Sequence, residues 1–422
     1  MSEQTSLNDQ SFDLAIVGAG IVGASAALYL GKQGYRVALI DRQPQPDLAV
    51  DMQRCSVNDY SARVSALTPA NVAFFHRCGV WEQLPSSLVQ PYQTMEVWEE
   101  LGGGRIHFDA AEYQAQALGY IIENHVLLAA CMKAIGEQDN VHTFFEKDIR
   151  SCALISREVE QARAYQLSFS DQSSVYANLL IGADGANSSI RKQLNLATRE
   201  WDYDQEAIVC TVEMEMPHGM KARQRFTESG PVAFLPLNNS SSEGTSSNAS
   251  VCSIVWSIDT NKAAHIFSLP EDEFKRQLAA QIEGELGAVK SVSKRFKFPL
   301  RQRHAKSYVA DQAILMGDAA HSIHPLAGQG LNLGLDDVQA LISIAEDAKK
   351  RGYELSSPIL LKRYERVRKS ENFSMMLGME GFKRLFGATD PLVRLIRNVG
   401  VDAMNRHTFI KAQIAKKAMG LQ

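Results

Sequence analysis

Behind a polar opening, Met1 to Gln10, the run Phe12-Asp13-Leu14-Ala15-Ile16-Val17 has the apolar, β-branched character of a short buried strand. Glycines interrupt it, Ile21 to Leu30 continues as an Ala/Leu-rich helix, and Arg36-Val37-Ala38-Leu39-Ile40 supplies a second strand. Gln43 to Tyr60 is polar, carries two prolines and three aspartates, and reads as a loop or lid. A helix then ends near Cys78. Thr94 to Trp98 and Arg105 to Phe108 form a hairpin across Gly102-Gly103-Gly104, and Val126 to Gly136 is helical. From Ala207 to Leu300 strand-like runs dominate, at Ala207 to Met216, Val232 to Leu237 and Val251 to Ile258. Asn238 to Ser250, rich in Ser, Asn and Gly, has no periodicity and reads as a flexible hairpin loop. After Asp336 the pattern is almost entirely helical.

Composition narrows this picture in three ways. With 422 residues the chain exceeds one ordinary core and implies two or three units, one of them discontinuous. Its 45% hydrophobic and 22% charged residues fit a soluble globular protein, and a net charge of −4 argues against a nucleic-acid partner. Six cysteines are scattered without a C-x-x-C pair, the opening lacks the pattern of a signal peptide, and no apolar run approaches a membrane span. These features point to a reducing cytoplasm.

Three glycine-bearing motifs carry the chemistry. In Gly18-Ala19-Gly20-Ile21-Val22-Gly23, the first two glycines permit a tight turn and close approach to a pyrophosphate, and the third lets helix pack on strand. The helix N-terminus adds free N–H groups and a positive dipole. Asp41, followed by Arg42, lies about 20 residues past Gly20, the spacing of a ribose-binding carboxylate. This fits FAD or NAD and does not choose between them. Leu179-Leu180-Ile181 delivers Gly182-Ala183-Asp184-Gly185, with Ser188 placed to cap the helix that carries Arg191. Ala313-Ile314-Leu315-Met316-Gly317 ends at Asp318, and Gly328-Gln329-Gly330 starts the helix through Asn332. A strand-end aspartate suits a ligand hydroxyl, and a helix start suits the negative charge on a reduced flavin.

In this order the motifs resemble the class A flavoprotein monooxygenases, of which para-hydroxybenzoate hydroxylase is the best-known relative. The likeness narrows to the ubiquinone-biosynthesis hydroxylases through Gly119 to Asn124, Ala233 to Leu237, His324 to Gly334 and the tail Lys417 to Leu421. The resemblance implies an α/β protein: a Rossmann-like FAD-binding domain of the para-hydroxybenzoate hydroxylase type, an inserted β-sheet substrate domain and a helical C-terminal region. The expected partition is 1–90, 115–200 and 300–345 for the FAD domain, 91–114 and 201–299 for the substrate domain, and 346–422 for the C-terminal region.

It also implies roles. Gly18, Gly20, Gly23 and Asp41 hold the pyrophosphate and adenosine ribose, with Arg42 and Asn124 among the cofactor contacts, although Asn124 stands where many relatives have arginine. Arg63 reaches the flavin or its phosphates. Asp184 and Arg191 help bind FAD and the passing pyridine nucleotide, and Asp318 holds the ribityl chain. Pro325, Gly328, Gln329, Gly330 and Asn332 line the isoalloxazine ring. The implied reaction uses NAD(P)H as co-substrate: a hydride reduces FAD, O₂ adds at flavin C4a, and the hydroperoxide hydroxylates a polyprenylated phenol or quinol. No protein acid or base is named as catalytic, and His321 and His324 are read as packing or flavin-edge residues rather than metal ligands. Cys252 to Trp256 and Arg363 to Arg366 favour the C5 ring position, while Asp109 to Glu112 and Asn372 to Met376 favour C6.

The tail from Pro391 to Gln422 sets six Lys and Arg against Asp402, with apolar residues interleaved. It reads either as a basic amphipathic surface for the inner face of the membrane or a biosynthetic complex, or as an ordinary packing helix. Two rival functions stand beside ring hydroxylation of a prenylated substrate: a soluble hydroxylase of a small phenol, and a non-catalytic FAD-binding subunit. A flavin halogenase is disfavoured because the four tryptophans form no W-x-W-x-I-P signature.

Overall fold

Leu14, Ala15, Ile16 and Val17 are all buried, as a strand covered on both faces must be, and they stand in the middle of a largely parallel sheet. The computed structural model describes residues 11–100, 104–157, 162–239, 249–322 and 329–387, together with Lys411, Gln413, Met419 and Gly420. Strand Ser11–Val17 pairs in parallel with Val37–Ile40 on one side and Ser174–Gly182 on the other. Val141–Phe144 extends the sheet beyond Val37–Ile40, and Ala313–Leu315 lies against Ser174–Gly182, again in parallel. Helices Ile21–Lys32 and Asn124–Gly136 pack together, and the long helix Gln329–Arg351 also contacts the first of them. The polar segment after Asp41 is irregular apart from a single 3₁₀ turn at Val57–Asp59.

A second, nine-stranded sheet is built around Thr198–Met214 and Val251–Asp259. It takes in the expected hairpin, Thr94–Glu99 with Arg105–Asp109, through parallel pairing with Lys221–Thr227. Strand Phe296–Ala305 also belongs to it, so this sheet runs past residue 300. Alternation gives the sheet two apolar faces. Ile208, Cys210, Val212, Ile254 and Trp256 bury one face under Phe274 and Leu278. Those two side chains belong to helix Glu271–Ala280, which follows Thr260–Ser268; neither helix was expected in a segment read as β-rich. Ala222, Ala233, Leu235 and Val255 on the opposite face meet Ala66 and Ile121. The latter pair lies in a small sheet of Val64–Leu67, Gly119–Glu123 and Val89–Tyr92.

Helix Pro358–Gly387 follows Gln329–Arg351. Beyond it, Lys411 pairs with Glu112 at 2.8 Å, and Met419 is buried with Ala110 and Leu118. These described points of the tail pack on protein. The rest of Pro391 to Gln422, and most of the Asn238 to Ser250 loop, lie outside the described residues. Among the described residues no helix is long and apolar enough to cross a membrane.

The bend between Thr198–Met214 and Lys221–Thr227 is held by His218, which is fully buried. Its Nδ1 accepts the Met220 N–H at 3.0 Å and its Nε2 lies 3.0 Å from the Leu237 carbonyl, so the ring is neutral with its proton on Nε2. Burial pushes His218 and His304 down from 6.5 to about 4. The unfolded chain therefore binds protons that the folded state refuses, and stability falls as pH drops from 6.5 towards 4. Asp336, which burial raises from 3.8 to about 6, acts in the opposite sense: its contribution grows as pH falls through 6. Asp318, also raised by burial, acts in the same sense as Asp336 and offsets part of the histidine effect. Substitution isolates the His218 share: between pH 7 and pH 5 the thermal midpoint of the parent is expected to change less favourably, by several degrees, than that of His218→Asn. An equal change in the two proteins would contradict the assignment.

Candidate active site

Val17 stands level with Ile40 and Gly182, and Gly182 stands level with Leu315. The glycine loop, Asp41, the Gly182–Gly185 turn and the Gly317–Asp318 turn therefore leave adjacent parallel strands at one edge, the place where open α/β sheets bind ligands. Backbone hydrogen bonds stitch this edge together. The Gly18 N–H donates to Ile40 at 2.7 Å, Ala183 to Val17 at 2.7 Å, and Met316 to Gly182 at 3.0 Å.

Two glycines are fixed by geometry. Gly18 has φ +108°, and a Cβ there would sit 2.3 Å from the Ala183 carbonyl oxygen; at Gly23 it would sit 1.9 Å from the Gly18 oxygen. Gly20 differs, since a Cβ there would meet nothing within 4 Å. It caps helix Ile21–Lys32 without offering a side chain, so the first-turn N–H groups face open space. Asp41 braces the loop: its Oδ2 accepts the Ala19 N–H at 2.6 Å and its Oδ1 the Gln43 N–H at 2.8 Å. Both oxygens retain lone pairs for further donors. An N-terminal cradle with open space and a carboxylate beside it fits a dinucleotide pyrophosphate and ribose.

Asp318 completes the fit. Its residue has accessible surface although it lies deep in the molecule, as a group lining a cleft does. Burial raises its carboxyl above the ordinary range, and the charges of His321, Arg63 and Arg303 pull it part of the way back. No hydrogen bond from a described residue reaches its carboxylate oxygens, so no described donor competes with a ligand hydroxyl for them. Arg63 is exposed, with its guanidinium 5.7 Å from the centre of the Phe298 ring, and Arg42 is exposed beside Asp41.

Other expected contacts are engaged with protein. Asp184 accepts from the Ser189 N–H at 2.6 Å and from Ser189 Oγ at 3.0 Å, capping Ser189–Gln193, while Ser188 Oγ takes the Arg191 N–H at 2.9 Å. Arg191 is buried and donates at 2.8 Å to both Ala186 and Ala319, tying two motif turns together. Asn124 opens its helix and accepts from Ser65 Oγ at 2.7 Å. Gln329 and Gly330 begin helix Gln329–Arg351, with open space around Gly330, whereas Pro325, Gly328 and His324 lie outside the described residues.

Asn332 is buried behind the site, where its Oδ1 accepts the Thr68 N–H at 3.1 Å and Asn71 Nδ2 at 3.0 Å, and its Nδ2 donates to Ala66 at 2.7 Å. Asn332→Ala strands all three partners and should cost about 2–4 kcal/mol of stability. Urea unfolding of the variant measures it; a loss below about 1 kcal/mol would show that the partners re-pair.

Sequence reasoning missed two buried ion pairs. Arg54 lies 2.8 Å from Glu123, both almost fully buried, and Tyr60 O–H donates to Asn238 at 2.7 Å. The segment read as a loop or lid is thus anchored to strand Gly119–Glu123 and to Asn238. The other pair joins Asp337 to Arg368 at 2.6 Å. His321 Nε2 stands 2.6 Å from the same Asp337, so this histidine faces a carboxylate within the protein.

The sequence matches the family described as an FAD binding domain over residues 11–371. It is 33% identical over 415 residues to the 3-demethoxyubiquinol 3-hydroxylase of Escherichia coli (strain K12), covering 98% of this chain and 100% of that protein. The chain is an FAD-dependent monooxygenase of the ubiquinone-biosynthesis hydroxylase family. It is also 32% identical to the ubiquinone hydroxylase UbiL of Rhodospirillum rubrum, over 98% of this chain and 90% of the relative. The fold of this monooxygenase is shared with p-nitrophenol 4-monooxygenase PnpA from Pseudomonas putida DLL-E4, with TM-score 0.74, 17% identity, and coverage of 98% and 99% of the two chains. Pseudomonas aeruginosa PqsL, solved with 2-aminobenzoylacetate, gives TM-score 0.72 at 21% identity over 93% of this chain and 100% of PqsL. FAD is the cofactor, and the cradle at Gly20, Asp41 and Asp318 has the chemistry to receive it.

Proposed function

We propose that this monooxygenase hydroxylates the aromatic ring of a polyprenylated phenol or quinol in ubiquinone biosynthesis, with NAD(P)H as reductant and O₂ as oxygen donor. The observation that carries the reading is the end-to-end likeness to the E. coli 3-demethoxyubiquinol 3-hydroxylase. The bound flavin supplies hydride acceptance and oxygen activation. The chain supplies the rest. Gly20 and the N–H groups behind it hold the pyrophosphate, Asp41 the adenosine ribose and Asp318 the ribityl hydroxyls. Arg63, together with Arg303, sets positive charge near Asp318. The apolar contact of Ala233, Leu235 and Val255 with Ala66 and Ile121 joins the two sheets beside which an apolar substrate would have to lie.

Two ring positions have support. Cys252 to Trp256 and Arg363 to Arg366 favour C5, whereas the name of the E. coli relative favours the step on demethoxyubiquinol. Mass spectrometry of quinone precursors in cells lacking the gene separates them: accumulated demethoxyubiquinone marks the second, an accumulated polyprenylphenol the first. In purified form, a prenylated phenol or quinol should stimulate NAD(P)H oxidation and gain one oxygen atom from O₂. Stimulation by simple hydroxybenzoates alone would favour a soluble phenol hydroxylase, and FAD retention without any stimulation would favour a scaffold subunit. Contact of the basic tail with the membrane or a biosynthetic complex is tested by deleting 391–422. Unchanged membrane co-sedimentation of the folded, truncated protein would remove that idea.

A further inference from the structure

A buried polar cluster lies directly behind the turn that carries Asp318. Its centre is Asp337, on helix Gln329–Arg351 and with no exposed surface. One carboxylate oxygen, Oδ2, accepts the Gly317 N–H at 2.8 Å and lies 2.6 Å from His321 Nε2. The other, Oδ1, accepts Arg368 Nε at 2.6 Å. Arg368 and Asn372, both buried on helix Pro358–Gly387, are joined at 2.8 Å, and Asn372 Nδ2 donates to the Tyr308 hydroxyl at 3.3 Å. Burial alone would raise the Asp337 carboxyl, but His321 and Arg368 outweigh it and hold the group at about 2.

Stability alone is a weak reason for such a cluster, because a buried ion pair can usually be replaced by apolar side chains of similar volume at little cost. The aim of Asp337 is more informative. It grips the one backbone N–H immediately before Asp318, in a glycine at φ +58°, and through His321 it grips the residue that leaves the same 3₁₀ turn. Asp318 itself has no hydrogen bond from a described residue on its carboxylate. Its direction is set by the turn rather than by its own contacts.

We infer that Asp337 is a positioning residue for flavin binding: through the Gly317 N–H and His321 it fixes the turn that aims Asp318 at the cofactor, with Arg368 bracing it from helix Pro358–Gly387. The inference rests on the reading of Asp318 as a cofactor contact. Orienting the carboxylate before FAD arrives removes ordering cost from the binding step.

The test is a double-mutant cycle in the full chain. FAD is stripped and titrated back by flavin fluorescence into the parent, Asp337→Asn, Asp318→Ala and the double variant, with near-ultraviolet circular dichroism reporting the fold. The flavin absorption spectrum and midpoint potential are recorded for each. Asp337→Asn is expected to weaken FAD binding at least about tenfold with a shifted flavin spectrum, and the double variant to bind no more weakly than Asp318→Ala alone. His321→Gln provides a milder second variant, and it carries the cycle if Asp337→Asn does not fold. Folded variants that bind FAD within twofold of the parent with the parent's spectrum, or losses that add in the double variant, overturn the inference. An Asp318→Ala protein that binds FAD like the parent instead overturns the reading of Asp318 on which the inference stands.

Discussion

Gly18→Ala is expected to yield a protein that purifies without yellow colour and binds added FAD about a hundredfold more weakly than the parent. Two independent obstacles produce this result. The backbone sits at φ +108°, which an L side chain rarely adopts, and the new methyl would lie 2.3 Å from the Ala183 carbonyl oxygen. That oxygen cannot retreat freely, since the Ala183 N–H is tied to Val17 at 2.7 Å and the neighbouring strands are in register there. Relief must come from the glycine loop, and the loop is where the proposed reading puts the pyrophosphate. Gly136→Ala provides the contrast: it ends helix Asn124–Gly136, its Cβ would meet nothing within 4 Å, and it should leave FAD binding unchanged. Flavin absorbance per protein after purification, followed by fluorescence titration, measures both. A yellow Gly18→Ala protein with parental affinity would show that the loop does not cradle the cofactor.

Asp318→Ala is expected to separate cofactor affinity from stability. A charged hydrogen bond to a ribityl hydroxyl is worth about 1.5–3 kcal/mol, so FAD affinity should fall about tenfold to a hundredfold. The apo protein should be as stable as the parent or slightly more so. The substitution removes a carboxylate that is deep, raised in pKa by burial and without a hydrogen bond from a described residue, so it strands no described donor. Thermal unfolding of the apo forms and FAD titration decide the matter together. A destabilised apo variant with parental FAD affinity would assign Asp318 a structural role instead.

The two substitutions also show how legible this chain is. Gly18, Gly20, Gly23 and Asp41 could be found from spacing because the whole unit is local, a strand, a turn, a helix and a strand within some thirty residues. The strand-like run Val251 to Ile258 is likewise local, as is the apolar run ending at Asp318. Helices Thr260–Ser268 and Glu271–Ala280 escaped notice because they are short and lie among strands. The second face of that sheet reads no differently from the first along the chain, yet one is roofed by helices and the other meets Ala66 and Ile121.

By itself the sequence determined the glycine fingerprint, the order of the three motifs, the α/β class and the family to which they belong, since backbone conformational demands and side-chain periodicity act over a few residues at a time. The tertiary structure decided which members of those motifs are consumed in holding the turns together and which have no described protein partner. Asp184 and Asp318 are both strand-end aspartates in glycine-bearing turns. One is spent on a helix cap, and the other has no described donor and opens to the cleft. Asp337, Arg368, Arg54 and Glu123 were invisible as partners. A buried charge is tolerated only beside its counterion, and that counterion comes from a different segment of the chain, which only the folded arrangement brings within reach.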